Sequence, residues 1–379
     1  MRYRTYRNTG LSTSLLGMGC MRLPNLGGDC TQIDEEKAQA IIDLCFQRGV
    51  NYFDTAYVYG GGASERFLGR ALSKYPRDSY FLADKMPPWL LHHPEDAPRI
   101  FQEELDRCGV DHFDFYLCHN VSEDTIDVFL DEKLGVIPFL EEMQRQGKIR
   151  YLGFSSHGTP ETLRRFADLR SWDFAQIQLN YFDWEFQNAK TQYEILTQRN
   201  IPIMVMEPVR GGRLSSLSPE ADAILLEARP DRSIASWALR FLSELANIQV
   251  ILSGMSSLEQ LQDNLDTLSR VEPLTASERQ ALDHATALFR KQFTIPCTGC
   301  GYCSGCPMEL NIPVFLKAYN EYLLSASKAA LDPILEAPGD RQPKSCVGCG
   351  QCAQHCPQHI DIPRHMLELT EKISKLLHS

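Results

Sequence analysis

The chain has 379 residues, 43% of them hydrophobic, and a formal net charge of −11. That length sets a prior of two domains, and the apolar content is ample for globular cores. The acidic balance argues against a nucleic-acid groove, which carries a basic patch, and no run of 18 or more apolar residues offers a membrane span. The opening residues MRYRTYRNTG hold no apolar signal stretch. The expectation is a cytoplasmic protein with neither nucleic-acid nor membrane partners.

Residues 3–14 alternate and turn at Asn8-Thr9-Gly10, which predicts a short hairpin. A strand–helix pattern then recurs. Leu15–Gly19 is an apolar run, and the helix over 35–48 sets Ala38, Ile41, Ile42 and Cys45 on one face. Strands are predicted at 51–54, 80–83, 113–118, 151–154, 174–179, 203–206 and 250–252. Helices follow at 64–74, 95–108, 131–147, 160–169, 188–200 and 231–243, and the last carries Leu258, Leu261, Leu265 and Leu268 as its stripe. Alternation argues a parallel sheet, and eight pairs argue a closed (β/α)8 TIM barrel. An open doubly wound sheet is the alternative. It wants a Gly-rich first turn, and no G-x-G-x-x-G opens a helix here. Residues 1–270 form the expected barrel, 271–296 a linking helix, and 297–379 a small α-helical domain.

In such a barrel, function sits at the C-terminal ends of strands. Asp54 ends the second strand and Tyr59 follows in FDTAYVYG; Lys85 ends the third in LADKMP; His119 ends the fourth in DFYLCHN. Singly, each has an ordinary structural role: helix cap, loop aromatic, surface cation, core histidine. Four ionisable groups on three successive strand ends point instead to one catalytic site.

With GFSSH after the fifth strand and Glu65 after FDTAYVYG, residues 1–270 resemble the aldo–keto reductases. The resemblance implies catalysis by Asp54, Tyr59, Lys85 and His119. Tyr59 would donate a proton to a carbonyl oxygen, with Lys85 lowering its pKa, Asp54 holding Lys85, and His119 orienting the substrate. It implies hydride transfer between NADP or NAD and a small carbonyl or alcohol substrate. It also implies nucleotide contacts. Gly19, Cys20 and Met21 lie beside the nicotinamide, Ser155, Ser156 and Gln176 at its carboxamide, and Met206 on its ring face. Gly211, Gly212 and Leu214 lie near the pyrophosphate, and Ser256, Gln260, Asp263 and Asn264 on the adenosine side. Arg210 and Arg213 neutralise phosphate or belong to a solvated loop. Gly254 and Gln260 stand where many NADP-preferring members carry cations, so the choice of nucleotide stays open.

Eight of the 13 cysteines lie in two short runs, CTGCGYCSGCP at 297–307 and CVGCGQCAQHCP at 346–357. They are spaced C-x2-C-x2-C-x2-C-P and C-x2-C-x2-C-x3-C-P. Three thiolates at that spacing wrap one iron–sulfur cube, and the cysteine before proline serves the other cube in two-cluster ferredoxins. The stretch resembles a bacterial 2×[4Fe–4S] ferredoxin domain, which assigns Cys297, Cys300, Cys303 and Cys356 to one cluster. Cys346, Cys349, Cys352 and Cys306 take the second. Structural zinc and a disulfide framework are the competing readings. The runs also form a repeat, C-P-x3-[N/D]-I-P offset by 50 residues, each exiting into a helix. The first helix is predicted to pack Val314, Ala318 and Tyr322; the second packs Met366, Leu369, Ile373 and Leu376. A short helix and a loop are expected over 323–345.

Two other functions fit this composition. The chain would be an electron-transfer protein with a ferredoxin or flavoprotein as redox partner, or its clusters would be purely structural in a domain short of core.

Overall fold

The structure is a computed structural model that describes all residues except 8, 271, 293, 326, 378 and 379. The chain divides into two compact units, Met1–Val209 with Pro230–Arg279, and Arg210–Arg229 with Gln280–Ser379.

The first unit is a closed barrel of eight parallel strands in chain order. They are β1 (Leu16–Gly19), β2 (Tyr52–Asp54), β3 (Phe81–Met86), β4 (Phe113–Val121), β5 (Ile149–Ser156), β6 (Phe174–Gln178), β7 (Ile203–Met206) and β8 (Ile248–Ser253). The connecting helices are α1 (Glu35–Gln47), α2 (Ala63–Leu72), α3 (Asp96–Cys108), α4 (Val136–Arg145), α5 (Pro160–Ala167), α6 (Ala189–Gln198), α7 (Ile234–Ser243) and α8 (Leu258–Ser269). The eight-pair pattern read from the sequence is therefore the fold.

Strand alternation sorts side chains into two cores. Phe53, Leu82, Tyr116, Phe154 and Ile177 pack outward against the helices. Tyr52, Ala83, Phe115, Phe174, Met204 and Val250 fill the barrel interior. Two glycines make room for them. A Cβ on Gly17 would stand 2.6 Å from Val250, and one on Gly153 would stand 2.6 Å from Phe174. The hairpin of Tyr3–Thr5 and Ser12–Ser14 precedes β1, although Asn8 of its predicted turn lies outside the described residues. It seals the N-terminal end. Tyr6 is fully buried, its ring 4.6 Å from that of Tyr151, and its hydroxyl donates to Asp173 O at 2.6 Å.

Three elements depart from the sequence expectation. The single helix predicted over 131–147 is two, Ile126–Leu130 and α4, because Asp131 is extended and Gly135 takes φ 61. A hairpin, Asn25–Leu26 with Asp29–Ile33, turns at Gly27-Gly28, both at positive φ. A helix at Pro219–Ala228 went unread, although Ser218 caps it and proline opens it.

In the second unit, a long helix α9 (Ala276–Gln292), which begins in the first unit, leads toward the cysteine runs; part of the predicted 271–296 segment lies outside the described residues. The repeat is visible in the backbone. Gly299 and Gly348, and Gly301 and Gly350, all adopt left-handed φ, which lets each run curl. Glu309 and His359, offset by 50, share φ near 50, and their amides donate to Cys306 O and Cys356 O at 2.9 and 3.0 Å. Helices α10 (Ile312–Ser325) and α11 (Ile362–Leu377) follow. The buried face of α10 is Phe315, Leu316, Ala318 and Tyr319, while Val314 is 37% exposed. Of the predicted stripe, Ala318 is buried and Tyr322 packs against the same core, and only Val314 is corrected. The insert holds a short helix, Asp332–Leu335, among 3-10 turns.

Candidate functional site

Continuing the alternation past the apolar interior brings Asp54, Lys85, His119, Ser155, Gln176 and Met206 to the next inward layer, at the C-terminal strand ends. Register supports this: Gly19 pairs with Asp54, and Gln176 with Ser155. The fold thus aims polar side chains into one closed mouth.

Three of the four tetrad residues are in direct contact. Lys85 Nζ lies 2.6 Å from Asp54 Oδ1 and 3.4 Å from Tyr59 Oη, and it also donates to Thr55 O. The Tyr59 and His119 rings meet edge to face at 6.3 Å. Lys85 and Asp54 are almost wholly buried. A buried ion pair of this kind costs desolvation and persists through good geometry and added hydrogen bonds.

Burial sets the protonation states. It raises the Asp54 carboxyl, a rise that Lys85 offsets only in part. It pushes the Tyr59 phenol well above its ordinary value, with Asp54 adding to the rise. The sequence reading expected Lys85 to bring that phenol down; the opposite net direction is a correction, and its cause is desolvation. His119 is driven well below the usual imidazole range by burial, then by Lys85 and His157. The site therefore presents a protonated phenol and a neutral imidazole, two groups able to donate hydrogen bonds to one oxygen.

Residues around the tetrad were not read from the sequence. The Trp89 ring sits 5.3 Å from His119, on the turn made rigid by Pro87 and Pro88. Arg22 pairs with Glu207 at 3.1 Å, and both act electrostatically on Tyr59. Behind the barrel wall, Asp84 faces outward and accepts from the Lys85 amide at 2.9 Å. Glu65 is fully buried, pairs with Arg107 at 2.9 Å, and is pushed up to about 7 by burial.

The residues expected to hold a nucleotide are variously placed. Gln176 is buried, and among the described residues its Oε1 has no partner; Asn120 Oδ1, near the strand end of β4, is likewise a buried atom without one. Such orphaned acceptors are costly unless a ligand satisfies them, so this wall fits a carboxamide. Ser155 Oγ accepts from Asn120 N at 2.7 Å. Ser156 faces the other way, its hydroxyl donating to Val121 O at 3.1 Å. Cys20 is buried, and its carbonyl accepts from Ser64; Gly19 and Met21 are half-buried beside it. Ser257 caps α8, Gln260 Oε1 accepts from Ser256 N at 2.7 Å, Asp263 from Ser233 at 2.7 Å, and Asn264 donates to Ser253 at 2.8 Å. Gly211, Gly212 and Leu214 belong to the second unit, where Leu214 is buried.

In the second unit each predicted cysteine quartet lines its own small cavity. Cys297, Cys300, Cys303 and Cys356 bound one, and Cys306, Cys346, Cys349 and Cys352 the other. Four thiols around each cavity suit a cubane cluster. Gly299 N donates to Cys297 Sγ at 3.4 Å, and backbone amides at 358–360 favour the Cys356 thiolate against the burial that raises its pKa.

Comparison with known proteins follows the same division. Residues 15–287 match the aldo/keto reductase family, and residues 296–360 a 4Fe-4S dicluster domain. L-galactose dehydrogenase of Arabidopsis thaliana is 27% identical over 306 residues, covering 74% of this chain and 93% of that protein. The NADH-specific methylglyoxal reductase of Escherichia coli is 24% identical over 307 residues, covering 69% and 91%. Among solved structures, the holo form of aldo-keto reductase AKR11C1 from Bacillus halodurans superposes with a TM-score of 0.61 at 26% identity, covering 75% and 96%. With the barrel, the strand-end charges and the paired cysteine cavities in place, the chain belongs to the aldo/keto reductase family of oxidoreductases and carries a 4Fe-4S dicluster domain.

Proposed function

We propose that the protein is a nicotinamide-dependent aldo–keto reductase acting on a small carbonyl or the corresponding alcohol. The observation that carries this reading is Lys85 Nζ at 2.6 Å from Asp54 and 3.4 Å from Tyr59 Oη at the barrel mouth. The nucleotide supplies or accepts the hydride when bound. The chain's own residues handle the proton and the orientation.

Tyr59, kept protonated by burial, donates to the carbonyl oxygen. The phenolate left behind is met by the Lys85 ammonium, which is the time its charge is needed. Asp54 holds that ammonium in place. Neutral His119 donates a second hydrogen bond to the same oxygen, and Trp89 against its ring limits substrate size. Gln176 Oε1 and Asn120 Oδ1, without partners among the described residues, would accept from the carboxamide. The relatives' names, one an NADH-specific methylglyoxal reductase and one a sugar dehydrogenase, support a small polar carbonyl as substrate class.

The second unit carries two [4Fe–4S] clusters, one on Cys297, Cys300, Cys303 and Cys356, the other on Cys346, Cys349, Cys352 and Cys306. The two separate cavities support this cross-paired assignment. Steady-state NADH and NADPH oxidation against a panel of aldehydes, ketones and sugars tests the barrel's function. Turnover with at least one carbonyl is expected; no turnover together with no binding of either nucleotide would rule the function out.

A further inference from the structure

Arg210 and Arg213 follow β7 in the sequence VMEPVRGGR. Arg210 lies in the second unit and is fully buried. Its Nη1 donates to Pro296 O at 3.1 Å, and its Nη2 donates to Gln358 Oε1 at 3.2 Å. Pro296 immediately precedes Cys297. Gln358 stands two residues beyond Cys356 and lines the cavity those cysteines bound. The guanidinium is thus tethered to the flanks of two cysteines of one quartet. Residue 210 also holds φ 52, a left-handed conformation that an arginine adopts at a cost and a glycine does not. The buried guanidinium is what the strained position presents. Arg213, half-buried, adds a second cation that favours the Cys297 thiolate, and Glu321 in turn favours the charged form of Arg213.

The second quartet differs. Among the described residues neither cavity is lined by a charged side chain, but here Cys349 is exposed and Val347 is 65% exposed. Lys344, two residues before Cys346, is exposed, where water and salt screen its charge. A buried positive charge stabilises the reduced, more negative form of a neighbouring cluster, and low local dielectric strengthens the effect.

We propose that Arg210, assisted by Arg213, makes the cluster on Cys297, Cys300, Cys303 and Cys356 the higher-potential member of the pair. In a half-reduced molecule the unpaired electron then rests on that cluster. The cluster with exposed Cys349 is the lower-potential port that exchanges electrons one at a time with an external carrier. This rests on the cluster assignment proposed above. Each cluster takes one electron from the reductant, dithionite in the experiment.

The test is an anaerobic redox titration of the holoprotein followed by EPR, after iron and sulfide analysis has established two clusters. Arg210→Gln should lower the higher-potential step by at least tenfold in its equilibrium constant, about 59 mV for a one-electron couple, and leave the lower step in place. Arg210→Lys should restore most of the shift. Arg213→Gln should move the same step by less, and it serves if Arg210→Gln fails to assemble its clusters. A Cys300→Ser background marks the signal of its own cluster, and the marked step should be the one that moves. Two clusters whose higher step is unmoved by both arginine variants, or whose steps move equally, overturn the proposal alone. Zinc or a single cluster in the holoprotein overturns the cluster assignment and the proposal with it.

Discussion

The barrel and the cysteine unit position reactive groups by opposite means. In the barrel, strand register does it. An apolar interior of Tyr52, Phe115 and Phe174 comes first, and the next inward layer is charged. Its ion pair is held by a core that needs no cofactor. In the second unit the apolar cluster around Phe315, Met366 and Leu369 packs against the cysteines themselves. Loops with left-handed glycines curl round the cysteine-lined cavities, and proposed clusters there would add cross-links between the loops. A reactive site can therefore be built before its ligand arrives, or be cross-linked by it.

Removing iron tests that difference most severely. Anaerobic chelation should abolish hydrogen-exchange protection in α10 and α11 and leave β1 to β8 protected. Equal loss in both regions would erase the contrast. Next in size is Tyr59→Phe, which should cut carbonyl reduction by about 10²–10⁴ while leaving nucleotide affinity and cluster content unchanged. An unaffected rate would move the chemistry out of the barrel. Lys85→Met leaves Asp54 buried and uncompensated, so it should cost about 3–5 kcal/mol of stability as well as rate. Adding Asp54→Asn should recover much of the stability in urea melts and none of the rate. The smallest effect concerns Glu65. Its folded-state pKa of about 7 is raised above the carboxylate value of 4.5, so its contribution is fully present below pH 4.5 and lost as pH rises through about 7. Barrel stability should decline across that window, and Glu65→Gln should flatten the decline in melts taken at successive pH values.

What was legible in the sequence follows the same line. Covalent spacing revealed the cysteine quartets and their 50-residue repeat. Strand periodicity set Asp54, Lys85 and His119 at strand ends, because alternation leaves only two faces to choose between. The break before α4 depended on Gly135 adopting φ 61, and the helix at Pro219–Ala228 was announced by Ser218 and Pro219 but overlooked. Other features depended on tertiary burial and had no local signal. The direction of the Tyr59 shift is a balance between desolvation and neighbouring charge. The commitment of Arg210 to Pro296 and Gln358 joins residues 86 and 148 positions apart. No window of sequence holds either fact.

The proposed reduction moves two electrons as one hydride within the barrel, with the proton from Tyr59, and so requires no electron from the clusters. Single-turnover reduction of an accepted carbonyl with nicotinamide deuterated at the transferring position tests it directly, with cluster absorbance followed in the same anaerobic mixing. Hydride transfer within the barrel should leave full deuterium on the product carbinol carbon and cluster absorbance unchanged. Deuterium lost to solvent, with the clusters bleaching before product forms, would contradict it.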